Sequence, residues 1–412
     1  MSEFLKVKTA EEVLSILDAI EPLPPVPVSL EFACGRRLAE DIIAAEPAPH
    51  FARATMDGYA VRARDTFGAS DSLPAFLERS GEVVIGEAAE IAVEPGKTVE
   101  IPTGGMIPLG ADAVVMVEYT SKIDTTTIEV VRPAAPGENV LKIGDDIAPG
   151  EVLFRKGAVL RPQDIGVLAA LGIVEVRVFG IARVALISTG DEIVPVETHP
   201  LPPGKVRDIN SFSLSAQIEA VGARIGMRRK VSDRLEDLVA ACREALENHD
   251  VIVLSGGSSV GARDYTARTL AGLPESEMLV HGVAIRPGKP TIFGRAGRAL
   301  FWGLPGQPVS ALIACRAFVL PSLRKLHGAT EAESRHKRSI QAILNHQLPS
   351  VHGRTDYAPV SLTQVSQDRT EASPIFGKSG AISILARADG YVVIPEHVEG
   401  LDQGAEVAVF LF

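Results

Sequence analysis

The most constraining feature of this sequence is a regular alternation of strand-like and helix-like segments between residues 181 and 254. Short apolar runs alternate with stretches of helical periodicity, and short loops join them. This order is typical of a doubly wound parallel sheet with helices on both faces. The predicted segments are a strand at Val184–Ser188, a helix at Ser211–Ala220 closed by Gly222, a strand at Ala223–Val231, a helix at Asp233–Glu247 with a capping box of Asp233 and Glu236, and a strand at Asp250–Leu254.

The flanking segments have a different character and predict further domains. The 412 residues alone suggest roughly three domains. A helix is expected over residues 8–20, with Thr9 as N-cap and Glu12 three residues later. We predict a multidomain α/β protein with a discontinuous α+β N-terminal domain at 1–50 plus 139–178, a small β-rich domain at 51–138, the doubly wound, mostly parallel domain at 179–330, and a C-terminal β-barrel or sandwich at 331–412.

Further apolar runs outside the α/β region predict individual elements. Each strand-like run alternates or is short, and each helix follows a proline that suits a first helical turn. The predicted strands are Val83–Ile85, Ala113–Val117, Ile128–Val131, Leu344–Leu348, Val360–Val365, Tyr391–Ile394 and Val407–Phe412, and the predicted helices follow Pro162 and run from Pro308 through Leu326.

Charge and cysteine content exclude several classes of protein. The formal net charge of −11 argues against a nucleic acid as main partner, although one pocket can still bind a small anion. Three widely spaced cysteines support neither a zinc knuckle nor a disulfide framework and are typical of a reducing compartment. The sequence shows neither a signal peptide nor an apolar run of 18 residues, so we expect a cytoplasmic protein without a membrane span.

Two glycine-bearing loops follow strands of the predicted sheet, Ser188–Glu192 and Ser255–Asp264. In such sheets ligands bind beyond the carboxyl ends of the strands, and glycines let backbone N–H groups approach an anion. The second loop has the glycine spacing of a P-loop, but Ala262-Arg263 replaces Lys-Ser/Thr, which excludes a Walker A site. The alternative is that both loops are tight turns without a ligand.

Three carboxylates on these loops, Asp191, Glu192 and Asp264, are candidate ligands for Mg²⁺ against a phosphate. Helix capping uses the same residue types at the same places, so both interpretations stay open.

A compact cationic turn follows at Arg286-Pro287-Gly288-Lys289-Pro290. Its prolines limit the movement of the backbone, and a stiff pair of positive charges suits a small dianion. A solvated basic turn is the alternative. Gly303–Ser310 then joins a strand to a helix and offers backbone and hydroxyl donors.

The β-rich region carries two polar, glycine-flanked segments, Met56–Ala60 and Pro102–Gly105, which turn formation alone can also explain. The nine histidines show neither HExxH nor i,i+4 spacing, and the chain lacks a GxSxG motif. These absences argue against a zinc hydrolase and an α/β-hydrolase.

Taken together and in order, these motifs resemble the MoeA family of molybdenum insertases, which includes the equivalent carboxy-terminal domain of fusion proteins such as gephyrin. The resemblance covers nearly the whole chain. It is carried by MDGYAV (56–61), IPTGGMIPLGADAVVM (101–116), GDDI (144–147), STGDE (188–192), SGGSSVGARDY (255–265), RPGKP (286–290) and GLPGQPVSAL (303–312). This chain departs from the family pattern at Gln307, where Asn is expected, at Arg286, where Lys is common, and at Ser258, where Val is usual.

The resemblance implies a four-domain homodimeric transferase with a MogA/MoaB-like central domain. Its reaction would insert molybdate into adenylylated molybdopterin and release AMP, with Mg²⁺ as cofactor. A pterin-adenylylating protein and recipient molybdoenzymes or chaperones would be its partners.

The resemblance also implies roles for individual residues. Catalytic roles fall to Asp57, Thr103, Asp146, Glu192 and Asp264, with Glu192 and Asp264 also as Mg²⁺ ligands; adenylylated molybdopterin contacts fall to Ser188, Thr189, Gly190, Asp191, Ser255, Gly256 and Gly257; molybdate contacts fall to Arg286, Lys289, Pro290, Ser310, Arg354 and Ser379.

Two other functions compete with insertion. A molybdopterin adenylyltransferase-like or other nucleotide-binding protein would share the 181–327 domain but would lack the 51–138 and C-terminal domains. A non-catalytic scaffold is the third possibility, because the animal fusion protein also clusters receptors.

Overall fold

The computed structural model of the chain describes residues 7–256, 262–336, 338–367 and 369–412, and of residues 262–264 only the backbone. The chain forms two compact units, one of residues up to Val26 with Val178–Phe412, the other of Pro27–Arg177. Two strands, Pro25–Ser29 and Glu175–Phe179, contain the points at which the chain passes between the units.

A six-stranded mixed sheet forms the centre of the larger unit. Its strand order is Arg224–Val231, Arg183–Thr189, Val251–Gly256, Ala299–Leu304, Ile292–Ala296 and Ser276–His281. The first four strands are mutually parallel, and the last two pair antiparallel. The predicted doubly wound, mostly parallel domain is therefore confirmed.

Helices cover both faces of this sheet, which explains why its central strand reads as an unbroken apolar run. Every residue of Val251–Gly256 is buried. Val251 and Val253 face one hydrophobic cluster while Ile252 and Leu254 face another, as the two-residue repeat of a strand requires. Fully burying one such side chain contributes about 1.5–3 kcal/mol. The first cluster contains helices Ala10–Asp18, Asn210–Glu219 and the helical run from Pro308; the second contains Leu235–Leu246 and Ala262–Ala271.

Two predicted helices form with identifiable local features. In Ala10–Asp18 the Glu12 N–H donates to Thr9 Oγ1 at 3.1 Å, and the Thr9 N–H donates to Glu12 Oε2 at 2.7 Å, so the predicted capping box is present. The helix from Pro308 reaches Leu326 as predicted, but a five-residue π-helical segment separates its two α-helical parts. These segments are Pro308–Ala314, Cys315–Val319 and Leu320–Leu326.

The predicted capping box of Asp233 and Glu236 is wrong. The helix begins at Leu235 after Arg234, without a side-chain cap. The reason is a competing partner, because the Thr189 hydroxyl donates to Asp233 Oδ1 at 2.5 Å. Asp233 therefore ties the end of a sheet strand to the segment before the helix.

The C-terminal strands form a closed barrel. Their order is Thr355–Ser366, Arg369–Pro374, Ser339–Leu344, Glu406–Leu411 and Gly390–Ile394, and the last pairs back with the first. Strand Ile285–Arg286 adds to this barrel in parallel to Thr355 and Asp356. Helices Glu331–Arg335 and Ser383–Ala386 accompany it.

The strand predicted at Leu344–Leu348 is wrong. The barrel strand ends at Leu344, and Asn345 Nδ2 donates to Ser373 Oγ at 2.5 Å, a side-chain bond of the kind that favours a turn. Leu348–Pro349 then pairs with Gly400–Leu401.

The smaller unit is built on a second six-stranded sheet, which confirms the β-rich prediction for this region. Its order is Ala113–Met116, Gly58–Val61, Lys97–Ile101, Ala75–Glu82, Thr127–Val130 and Thr120–Lys122. The strand predicted at Val83–Ile85 is wrong, because the strand there is Ala75–Glu82 and ends before Val83.

Short elements complete both units. The helix predicted after Pro162 is present as Pro162–Ala170 and begins at the proline itself. The remaining elements are the strand pairs Ile42–Ile43 with Val152–Phe154, Arg53–Ala54 with Val140–Leu141, and Ile193–Val194 with Val206–Arg207, and single 3₁₀ turns at Leu30–Phe32, Ala63–Thr66 and Val117–Tyr119.

The finer division into four domains stays a prediction.

Among the described residues, no helix is long and apolar enough to cross a bilayer.

One glycine of the smaller unit should be irreplaceable for steric reasons. A Cβ on Gly58 would lie 1.9 Å from the Val115 carbonyl oxygen of the neighbouring strand. We therefore expect Gly58→Ala to lower the free energy of unfolding by about 1–3 kcal/mol, as overpacking does. Gly166→Ala is the matched control, since a Cβ there meets no atom within 4 Å and the site is helical. Urea unfolding of both variants checks this, and equal stability of Gly58→Ala and the parent would contradict it.

Candidate functional site

One cavity in the larger unit brings together six residues that the sequence associates with a small anion. Its volume is about 1080 Å³. Residues from the α/β region and from the barrel line it, although they span about a hundred positions of sequence. The six are Arg286, Lys289, Pro290, Ser310, Arg354 and Ser379. We refer to the space that they line as the oxyanion cavity.

The cationic turn of this cavity is held by its own backbone. Gly288 has φ +117°, and a Cβ there would lie 2.7 Å from Ile285 Cδ1, so the position requires glycine. The Thr291 N–H and hydroxyl both donate to the Gly288 carbonyl, at 3.1 and 2.7 Å. The turn therefore presents Arg286 and Lys289, both exposed, from a fixed backbone.

A carboxylate that the sequence analysis missed lies against the two arginines and orients one of them. Asp356 lines the cavity with its side chain 7% exposed. Asp356 Oδ1 accepts from Arg354 Nε at 2.8 Å, and Asp356 Oδ2 accepts from Arg354 Nη2 at 3.3 Å. Arg286 Nη1 lies 3.7 Å from the same Oδ2. A bidentate arginine–carboxylate pair fixes the guanidinium plane, so Asp356 orients Arg354. Its place two residues after Arg354 in the sequence was the available signal.

Hydroxyl and amide groups form another part of the wall. Ser310 is 5% exposed in the first turn of the helix that begins at Pro308. The Val309 N–H donates to the Ser379 carbonyl at 3.2 Å, and the Ser379 hydroxyl donates to Gln307 Oε1. The segment around Ser379 is thus attached to the start of this helix.

The charges of the cavity favour an anion. Its lining includes four cationic side chains, Arg286, Lys289, Arg354 and Lys378, against the single carboxylate of Asp356 among the described lining residues. An excess of positive charge around a concave site attracts and retains anions.

Side chains at the carboxyl edge of the central sheet contact residues of helix Asn210–Glu219. Ser188, Thr189 and Ser255 are buried, as is Gly256. Ser188 Oγ lies 3.2 Å from Ser211 Oγ, and Asn210 Nδ2 donates to Ser255 Oγ at 2.8 Å. Such contacts hold the strand ends at which the two predicted substrate loops begin.

Gly256 shows why glycine stands at the end of the central strand. A Cβ there would lie 2.2 Å from the Thr189 carbonyl oxygen of the paired strand. Gly257 lies outside the described residues.

The acidic candidates occupy the rim of the sheet edge. Asp191 and Glu192 are exposed after Gly190, and Lys205 Nζ donates to the Asp191 carbonyl at 2.8 Å. Asp264 belongs to helix Ala262–Ala271, and the structure describes the backbone of Asp264 but not its side chain. Among described residues, no three His, Cys, Asp or Glu side chains form a metal-binding group. Exposed carboxylates fit Mg²⁺ that keeps most of its waters, and they do not fit a zinc site.

In the smaller unit, which contains three of the five predicted catalytic residues, the structure brings two of them into contact. Asp57 Oδ1 accepts from the Thr103 N–H at 2.6 Å and from its hydroxyl at 2.7 Å. The backbone N–H of Thr103, and next its hydroxyl, lower the pKa of Asp57 from its usual 3.8. Asp146 is exposed, and its N–H donates to the Ala48 carbonyl at 3.1 Å. No side-chain contact to Asp57 or Thr103 is seen for Asp146 in the described part of this unit.

The fold and the cationic cavity define a multidomain α/β protein with a cavity whose charge suits an anion. Three family descriptions match the chain in order: the MoeA N-terminal region, domains I and II, over residues 6–172, a probable molybdopterin binding domain over 185–325, and the MoeA C-terminal region, domain IV, over 341–412.

Proteins similar over their full length agree. A putative molybdopterin biosynthesis protein of Methanocaldococcus jannaschii is 34% identical, over 93% of this chain and 91% of its own length. A molybdopterin molybdenumtransferase of Staphylococcus aureus is 32% identical over 98% and 95%. The crystal structure of a molybdopterin biosynthesis MoeA protein from Pyrococcus horikoshii superposes with a TM-score of 0.84 at 39% identity, covering 98% of this chain and 99% of that one.

The chain belongs to the MoeA family. The resemblance inferred from the seven motifs is therefore confirmed, and so are the multidomain fold and the expectation of a transferase in molybdenum cofactor biosynthesis. This function is favoured over the adenylyltransferase-like alternative, because the matches extend through the N-terminal and C-terminal regions.

The Asp57–Thr103 contact makes a pH-dependent prediction. Because hydrogen bonds to the ionised carboxylate lower the pKa of Asp57, their contribution to stability is present above pH 3.8 and is lost as the pH falls through the lowered value. Thr103→Val keeps the backbone donor but removes the hydroxyl, so the pKa of Asp57 should rise part of the way toward 3.8. Thr103→Ser should leave it low. Carboxyl ¹³C NMR titration measures both, and an unchanged pKa in Thr103→Val would count against the contact.

Proposed function

We propose that the oxyanion cavity binds molybdate for insertion into adenylylated molybdopterin. The observation that carries this proposal is the convergence of the six sequence-predicted oxyanion residues on one cavity with excess positive charge. The proposal is best supported by residues that come from different elements, such as Lys289 of the cationic turn and Arg354, which immediately precedes the barrel strand Thr355–Ser366.

The chemistry of the lining suits this substrate. Molybdate is a dianion that only accepts hydrogen bonds. Arginine donates in a planar fork, lysine supplies a compact charge, and the Ser310 hydroxyl adds a neutral donor. Asp356 offsets one positive charge and holds Arg354 in a fixed orientation before the substrate arrives. A prearranged set of donors does not have to reorganise when the anion binds.

In the proposed reaction, the dithiolene sulfurs of the pterin bind the molybdenum while oxygen of molybdate leaves as water, and water cleaves the phosphoanhydride bond so that AMP leaves. The loops after Thr189 and Ser255 would hold the adenylylated pterin, because glycines there leave backbone N–H groups accessible to phosphate. Positioning and charge compensation account for the rate, and no protein nucleophile is required. Glu192 and Asp264 would hold Mg²⁺, which when bound neutralises charge on the phosphate of the adenylate.

Removing the lysine of the cationic turn should test the site. Lys289 lines the cavity, and its side chain makes no hydrogen bond or ion pair to the described residues, so its replacement leaves no buried partner behind. We expect Lys289→Ala to weaken molybdate binding by about tenfold or more, the usual worth of a hydrogen bond to a charged group. AMP release from adenylylated molybdopterin at varied molybdate measures this effect as a raised KM.

The matched control removes one positive charge elsewhere in the same unit. Arg298 is exposed in the turn between Ile292–Ala296 and Ala299–Leu304, and it does not line the cavity. Arg298→Ala should keep the parental KM for molybdate. Full molybdate-dependent turnover by Lys289→Ala would refute the assignment of the cavity.

The proposal includes a cytoplasmic homodimer. In it Asp57, Thr103 and Asp146 of one protomer complete the cleft of its partner, as the family resemblance implies. The protein that adenylylates the pterin would supply the substrate, and molybdoenzymes or their chaperones would receive the product. The cytoplasmic location rests on the three widely spaced cysteines of the sequence.

Mixed dimers test the shared site directly. Asp57→Ala and Lys289→Ala chains should each be impaired alone. When equal amounts of the two chains are refolded together, half of the dimers are mixed. Each mixed dimer has one intact site out of two, so activity should recover to about a quarter of the parental value. If both residues served the same protomer's site, mixing would restore nothing. Native mass spectrometry of the mixture confirms that exchange has taken place.

A further inference from the structure

A second residue that the sequence analysis did not assign, Gln307, lies on the wall of the oxyanion cavity. It immediately precedes the helix that begins at Pro308, and it stands where the family pattern predicts Asn. Its side-chain oxygen, Oε1, accepts the hydrogen bond of the Ser379 hydroxyl. This contact joins two segments that lie 72 positions apart in sequence.

The contact changes what Ser379 can offer to an anion. A serine hydroxyl has a single proton, and here that proton points to Gln307. The remaining lone pairs of Ser379 Oγ would repel an oxyanion, because both are acceptors. Ser379 therefore does not supply a donor to the cavity in this arrangement.

The same contact also fixes the orientation of the Gln307 side-chain amide, which can then donate. An amide carries one acceptor oxygen and one NH₂ group, and fixing the oxygen fixes the NH₂ as well. Gln307 Nε2 makes no hydrogen bond to the described residues, and Gln307 shares the cavity wall with Lys289 and Ser310. The Gln307 amide thus carries two N–H donors without a partner in the described part of the chain, and Gln307 lines the same cavity as the cationic turn.

We propose that the side-chain amide of Gln307 donates directly to the bound oxyanion, and that Ser379 is the positioning residue that orients this amide. The inference rests on the proposed binding of molybdate in the same cavity. It replaces direct contact by Ser379 with contact through Gln307, and it uses a residue at which this chain departs from the family pattern.

The test must separate the two side chains, because removal of Gln307 alone would free the Ser379 hydroxyl to donate in its place. The effect of Gln307→Met is therefore measured in a Ser379→Ala background. Isothermal titration of the purified chain with sodium molybdate gives the dissociation constant of each variant. We expect the second substitution to weaken binding by about a further tenfold, since a donor to a charged acceptor is lost.

Two further variants address the positioning role. Ser379→Ala alone should weaken molybdate binding only about two- to threefold, because the amide donors remain but lose their orientation. Ser379→Thr should restore the parental value, since it keeps the hydroxyl. Gln403→Met, at an exposed glutamine that does not line the cavity, is the matched control and should bind as the parent does. Thermal unfolding of every variant shows that it is folded.

The outcomes also separate this inference from the proposed function. If Gln307→Met adds no loss to Ser379→Ala while Lys289→Ala still weakens binding, then Gln307 is not a donor and the molybdate site stands. If Lys289→Ala also binds as the parent does, the cavity is not the molybdate site and both proposals fail.

Discussion

The parallel pairing of Ile285–Arg286 with Thr355 and Asp356 is the constraint on which the oxyanion cavity depends. It places a residue pair from the α/β region on the edge of the C-terminal barrel. Arg286 and Arg354 then face the same buried carboxylate, at 3.7 and 2.8 Å. Two guanidinium groups this close to one another would repel without that carboxylate. The local electrostatics of a cavity that attracts anions thus require one acidic residue within it.

Much of the fold could be predicted because its signals are local. The central sheet has helices on both faces, so its strands read as unbroken apolar runs, and Val251–Gly256 was predicted to within two residues. The capping box of Thr9 and Glu12 needs no information beyond four consecutive residues. The cationic turn was also evident, since Pro287, Gly288 and Pro290 restrict the backbone between the two basic side chains.

The features that escaped prediction depend on partners distant in sequence. Asp233 had the position of an N-cap, but the Thr189 hydroxyl, on another strand, competes for its carboxylate. Barrel and sandwich could not be distinguished, because closure depends on Gly390–Ile394 pairing back with Thr355–Ser366. Asp356 and Gln307 were missed for the same reason. The spacing of Asp356 from Arg354 was a local signal, but the contacts with Arg286 and Ser379 join residues about 70 positions apart, which no spacing rule reveals.

The π-helical segment Cys315–Val319 has a consequence for how one helical run serves two surroundings. A π turn contains about one residue more than an α turn, which rotates everything after it by about 100° around the axis. The first part can therefore offer Ser310 to a polar cavity while Leu320 and Leu323 remain packed in the apolar cluster. Loss of a single residue from this segment would restore regular α-helical hydrogen bonds but rotate Leu320 and Leu323 out of their present positions in the cluster. The π turn thus sets the rotation between the part of the helical run that lines the cavity and the part that packs only in the apolar cluster.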